Sequence, residues 1–146
     1  MGTIRTDFHY PYPAARVWAL ATSYDALARV ADGLVAFEGL PEGRTRTGQV
    51  VDVRVSLFGR LPAQDYRMEV LECDDSRMVL RSDERGAGVR TWRHTLTVTP
   101  EAGGCRLADT VEIDAGLPTP LFVLWARRLY TARHAPRLRL LERGDY

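Results

Sequence analysis

Residues 92–113 read WRHTLTVTPEAGGCRLADTVEI, and the alternation in this stretch decides the fold. Trp92, His94, Leu96 and Val98 share one side of a period-two pattern, with Arg93, Thr95 and Thr97 on the other. After a turn from Pro100 to Gly104 the pattern resumes. Leu107, Asp109, Val111 and Ile113 fall on one side, Arg106, Ala108, Thr110 and Glu112 on the other. Successive side chains of a strand point to opposite faces, so each run is a half-buried strand. The short, Gly-containing link joins them as a hairpin. Same-face pairing then sets His94 opposite Asp109 or opposite Val111, the latter leaving Asp109 on the diagonal. In either register the two side chains come within reach of each other.

That pair stands out because the rest of the inner face is mostly aliphatic. A carboxylate facing an apolar interior is costly unless paired or protonated. A neighbouring imidazolium would lower the Asp109 pKa, and Asp109 would raise that of His94. Three roles fit these residue types: a structural pair that satisfies itself, a holder for the polar end of an apolar guest, or a general acid/base pair.

Working outward, the same alternation recurs. Val51, Val53, Val55 and Leu57 alternate with Asp52, Arg54 and Ser56 in residues 49–58. Tyr66, Met68 and Val70 alternate with Asp65, Arg67 and Glu69 in residues 64–72, and Met78 and Leu80 alternate with Arg77 and Arg81. Residues 3–10 and 34–40 read as further strands, and the short Gly- or Pro-bearing connections favour a meander. Pro11 and Pro13 end the first strand. Pro13 suits a helix first turn, so a short helix is expected over Ala14 to Thr22 and a second near Tyr24 to Val30, closed by Asp32-Gly33.

The last segment changes period again. Thr119 and Pro120 make a helix N-cap and first turn. Phe122, Trp125, Ala126, Leu129, Ala132 and Leu140 fall on one face at helical spacing. Pro136 should kink or interrupt this helix about two-thirds of the way along. A sheet with one apolar face needs one cover, and this helix is the only element large enough. The expectation is therefore one α+β domain over residues 1–146: a curved antiparallel sheet of six to seven strands around a long C-terminal helix, two short helices plugging one end, and a cavity between sheet and helix.

The order of elements resembles the START/polyketide-cyclase-like superfamily, the helix-grip or SRPBCC group, across nearly the whole chain. The opening Tyr12-Pro13-Ala14-Ala15-Arg16-Val17-Trp18 resembles the start that many members share. More specific are Trp92-Arg93-His94, the stretch Gly103 to Glu112, and Tyr130-Thr131-Ala132-Arg133-His134, which together resemble a bacterial subgroup of ligand-binding-like proteins. Pro136 departs from that pattern, which has an uninterrupted final helix. The resemblance implies the fold. Function is not implied at the same level, because this scaffold carries lipid carriers, cyclases, hydroxylase domains and chaperone cofactors alike.

The candidate cavity residues are Tyr66, Met68, Trp92, His94, Asp109, Val111, Trp125 and Leu129. Trp92 and Trp125 could stack on a planar guest, although aromatics at such positions more often serve as core. Tyr66 offers a hydroxyl. Trp18 reads as packing, His134 as surface, and Cys73 and Cys105 as small apolar groups near strand ends. Arg127, Arg128, Arg133, Arg137, Arg139 and Arg143 make the final helix basic, which usually means a solvated outer face.

Composition narrows the function classes. Twenty basic and nineteen acidic residues leave a net charge of +1, which gives no global field to recruit nucleic acid. Every basic residue is arginine; with no lysine, Schiff-base catalysis by a side-chain amine is excluded. There is no nucleophile elbow, phosphate loop or dinucleotide fingerprint, and no cofactor is called for. His9, His94 and His134 sit in separate elements, which argues against a metal centre. Two scattered cysteines, no hydrophobic leader and no apolar run near ~20 residues suit a reducing cytoplasm without membrane spans.

The leading expectation is a non-catalytic binding protein for a lipid, isoprenoid or aromatic metabolite, monomeric or homodimeric. The alternatives are a cyclase/aromatase- or dehydratase-like enzyme using His94, Asp109 and Tyr66, and a protein-interaction module using the sheet's outer face or the basic helix.

Overall fold

In a computed structural model, which describes residues 1–144 and 146, the quoted stretch forms the hairpin of β6 (Val89–Glu101) and β7 (Gly104–Asp114). His94 pairs with Val111, and Asp109 faces Leu96, which is the diagonal register of the two expected. The hairpin's corner needs glycine. Gly104 has φ 151°, and a Cβ there would stand 2.0 Å from the carbonyl oxygen of Tyr10. β1 (Gly2–Tyr10) runs antiparallel beside β7 and closes that flank of the sheet.

On the other side of the hairpin the chain meanders. β2 (Val35–Glu38), β3 (Val50–Leu57), β4 (Gln64–Asp74) and β5 (Val79–Gly86) complete a seven-stranded antiparallel sheet in the order β1-β7-β6-β5-β4-β3-β2. The register shifts between Val70 and Glu72 and again between Glu84 and Gly86. Such bulges bend a strand and increase its twist, which helps this sheet curl into a half-barrel. The inner positions are those the alternation predicts: Val51, Val53, Val55, Met68, Val70, Leu96, Val98, Leu107 and Ile113 are buried. The outer face carries cross-strand ion pairs instead, such as Arg67 with Asp52 at 2.7 Å and Arg106 with Asp7 at 2.6 Å.

α1 (Ala14–Ala21) and α2 (Tyr24–Val30) plug one end. Ser23 caps α2 by accepting from the Ala26 N–H at 3.2 Å. The C-terminal cover is two helices, α3 (Thr119–Ala132) and α4 (His134–Arg143). Pro136 explains the break. It has no N–H to give the Ala132 carbonyl, and its ring would collide with that carbonyl in a continuous helix. The chain therefore restarts at His134, which puts Pro136 in a first turn where no N–H is required.

Four details differ from expectation. Pro118, not Thr119, is the N-cap of α3. Thr119 is already helical, and its hydroxyl accepts from Ala115 N–H at 2.9 Å and donates to Gly116 O at 2.6 Å, tying the helix to the end of β7. Ala132 is exposed. The face turned inward is Ala126, Leu129, Tyr130, Arg133, Arg137, Leu140 and Leu141, so two of the arginines expected on a solvated face are buried. His134, expected on the surface, is half-buried and stacks on Phe8 with ring centroids 4.3 Å apart.

Candidate functional site

The interior consists of two apolar clusters, and a polar belt lies between them. Trp92, Val111 and Tyr130 belong to one cluster, whereas Leu96, Leu107 and Leu140 belong to the other. Where β6, β7 and the helical cover pass from one cluster to the other, each has a polar residue at the crossing: His94 on β6, Asp109 on β7, Arg137 on α4. Thr6 on β1 lies opposite Asp109, and Ser82 on β5 lies opposite His94, which extends the belt across four strands. All five residues are buried.

At the centre of the belt, His94 Nε2 meets Asp109 Oδ1 at 2.6 Å, and Arg137 Nη2 donates to Asp109 Oδ2 at 3.4 Å. The expected pair is thus a triad, with a cation from the helix as its third member. Burial by itself would raise the Asp109 carboxyl. The Arg137 charge, the His94 hydrogen bond and the Arg133 charge outweigh that and hold it below the ordinary carboxylate value. Arg137 is only 3% exposed, and it stays charged because Asp109 offsets the cost of its burial. Nε2 of His94 is committed to Asp109, and Nδ1 has no protein partner among the described residues.

A second polar group stands farther along the sheet. Tyr66 Oη donates to Glu84 Oε1 at 2.9 Å, and Ser82 Oγ donates to Glu84 Oε2 at 2.5 Å. Burial, reinforced by the adjacent Glu84 charge, pushes the Tyr66 phenol well above its usual value. Trp92 Nε1 donates to Tyr130 Oη at 3.3 Å, and the Arg133 guanidinium lies 4.2 Å over the Tyr130 ring. Burial raises the Tyr130 phenol too, so both hydroxyls are neutral at ordinary pH.

Sheet, α2 and the broken helix line a cavity of about 160 Å³ that is partly open to solvent. Its wall is largely aliphatic and aromatic, and Tyr24, Phe37, Trp92, Phe122, Trp125 and Tyr130 supply rings. Of the residues predicted from sequence, Tyr66, Met68, Trp92, His94, Trp125 and Leu129 line it. Asp109 and Val111 do not. Both are fully buried behind the wall, where Asp109 orients His94 and Arg137 and Val111 packs in the core. Trp125 meets Phe58 edge-on at 5.0 Å, so its ring also ties α3 to the loop after β3.

The wall also holds residues that the sequence reading did not name as cavity candidates, among them the rings of Tyr24, Phe37, Phe122 and Tyr130 and the polar Ser82, Glu84, Arg133 and Arg137. Ser82 and Glu84 continue the alternation of Leu80 and were reachable by extending that strand past Arg81. Arg133 and Arg137 occupy the helical stripe of Ala126, Leu129 and Tyr130, so spacing placed them inward even though their charge argued outward. Among the described residues, no three His, Cys, Asp or Glu side chains gather as metal ligands. No helix is long and apolar enough to cross a membrane.

The geometry has known counterparts. TTHA0849 from Thermus thermophilus superposes with a TM-score of 0.76 at 16% identity, over 99% of this chain and 100% of that one. A START superfamily protein from Mycobacterium smegmatis gives a TM-score of 0.72 at 10% identity, over 98% and 99%. DynU16, from the dynemicin biosynthetic locus, gives 0.68 at 20% identity, covering 97% of this chain and 48% of that one. At such identities the likeness is one of fold. No curated protein matches the sequence. The model of the family described as polyketide cyclase / dehydrase and lipid transport matches residues 1–143. Sheet, broken helical cover and family match agree: the fold is the one seen in the START superfamily protein, and the chain belongs to the polyketide cyclase/dehydrase and lipid transport family.

Proposed function

We propose that the protein binds a small, mostly apolar molecule carrying one or more rings, held between the sheet and the α3–α4 cover. The observation that carries this reading is the cavity itself, ring-lined, with its few polar groups gathered in the belt and at Glu84. Its volume selects among guests. About 160 Å³ is close to the ~150 Å³ of an engineered apolar cavity that takes up benzene. A ring-sized guest fits within this volume, whereas an extended lipid or isoprenoid chain would project beyond it through the open side.

Mass spectrometry of the purified protein, native and after solvent extraction, tests this first, followed by a thermal-shift screen of small aromatic compounds. A guest at a hundredfold its Kd stabilises the fold by about 2.7 kcal/mol, which raises Tm by several degrees. An empty protein that no aromatic probe stabilises would remove the reading.

A second reading is supported by His94. It lines the cavity, and Asp109 holds its Nε2, an arrangement that orients an imidazole for proton transfer through Nδ1. In a cyclase- or dehydratase-like reaction, His94 is the base and the neutral Tyr66 hydroxyl an acid. Turnover of a polyketide-like substrate that survives His94→Gln unchanged would exclude it.

A further inference from the structure

The arginine end of the cavity has more donors than anionic acceptors. Arg133 is 8% exposed, its Nε is buried without a hydrogen-bond partner, and its guanidinium stacks on Tyr130. Arg137 gives Nη2 to Asp109, while its buried Nη1 has no partner. The Tyr10 hydroxyl is the polar neighbour of Arg137, but it makes no hydrogen bond of good geometry with that guanidinium, and a neutral phenol would not balance its charge in any case. Both arginine side chains line the cavity. Among the described residues, Asp109 is the sole carboxylate within ion-pair distance of either guanidinium, and it already serves Arg137 and His94. Glu84 is held by Tyr66 and Ser82 and forms no ion pair with an arginine among the described residues.

A guanidinium presents five N–H donors in a planar fork. Burying one costs several kcal/mol unless an acceptor, preferably an anion, meets it. Two buried forks against one shared carboxylate leave a positive, donor-rich end on an otherwise ring-lined cavity. A carboxylate is the complement in charge and shape, since its two oxygens accept parallel N–H bonds from one fork.

We infer that the guest is an aromatic acid whose carboxylate is received by Arg133 and the free Nη1 of Arg137, with its ring among the aromatic side chains of the wall. This inference rests on the binding reading above and adds the head group. The positions assign a division of labour. Arg137 is anchored by Asp109 and belongs to the frame, whereas Arg133 is uncommitted to any anion and is the specificity-determining contact.

The test is calorimetric titration at neutral pH with three probes that share a ring and a chain: phenylpropionate, phenylpropanol and phenylpropylamine. The acid is expected to bind about ten- to a hundredfold more tightly than the alcohol, the range for a charge-assisted hydrogen bond in a dry site. In Arg133→Met the acid should fall to within about threefold of the alcohol measured on the same variant. Equal binding of acid and alcohol by the unmodified protein overturns the head-group inference and leaves the cavity reading intact. Tightest binding of the amine overturns it in favour of recognition at Glu84. A persistent acid preference in Arg133→Met removes Arg133 from the contact. If no probe binds, both the inference and the aromatic-guest reading fall together. The comparison of probes on the unmodified protein decides the inference even if the variant fails to fold.

Discussion

Arg137 reaches from the second half of a broken helix to Asp109 in the middle of β7, at 3.4 Å, with both side chains shut off from solvent. The carboxylate also holds His94 at 2.6 Å, so one buried anion joins helix, strand β7 and strand β6. The belt seats the cover on the sheet at a single depth and gives the cavity its polar end.

Removing one partner should therefore be worse than removing two. Asp109→Leu leaves the Arg137 guanidinium buried without an anion and should cost about 3–5 kcal/mol in urea unfolding. The double variant Asp109→Leu/Arg137→Met, of similar volume and no charge, should recover much of that loss. Additive losses in the double-mutant cycle would show that the two groups are not coupled.

Acid unfolding follows from the same carboxylate. The folded pKa of Asp109 is below its ordinary value of 3.8, so the unfolded chain binds the proton more readily. The contribution is fully present above that ordinary value and is lost as pH falls through the lower folded one. Exposed acids such as Asp52 and Asp75 shift the same way, which makes the comparison with a variant essential. Asp109→Asn should show a shallower loss of stability than the unmodified protein below about pH 4. Parallel curves would mean that Asp109 adds nothing to the slope.

His134 gives a separate signal in mild acid. Burial and then the neighbouring Arg137 charge lower its pKa from 6.5, so the folded protein favours the neutral ring stacked on Phe8. Its contribution is present above 6.5 and is lost as pH falls through the folded value. Proton NMR should record a His134 midpoint below that of a histidine in a short peptide. A midpoint at or above 6.5 would contradict the placement of the ring.

Gly104 should tolerate no side chain. Its φ of 151° is strained for other residues, and a Cβ would sit 2.0 Å from Tyr10 O, a backbone atom that cannot swing away. Gly104→Ala should cost on the order of 3 kcal/mol in thermal or urea unfolding. Gly43, with φ 86° and open space around its Cβ position, is the control; Gly43→Ala should cost about 1 kcal/mol.

How far the site was legible depends on the element each residue occupies. Trp92 and His94 were readable as wall positions because the strand period of two is rigid: once Leu96 and Val98 face inward, the others must as well. Asp109 followed by the same rule, but whether it faced the cavity or stood behind His94 depended on the register, which selected the diagonal. Glu84 was missed because Ser82 and Glu84 are not apolar, and alternation read only from apolar residues stops where function begins. Arg133 and Arg137 were missed because helical spacing and charge gave opposite answers.

The sequence by itself determined the order of elements along the chain, the two plugging helices, the broken cover and the inward set of aliphatic residues. These follow from local periods, glycine and proline stereochemistry, and the need to bury one face of each element. Only the tertiary structure decided that two arginines turn inward, that Asp109 serves one of them, and how much room remains for a guest. A buried charge is tolerable or ruinous according to what stands a few ångströms away, and those neighbours come from distant parts of the chain.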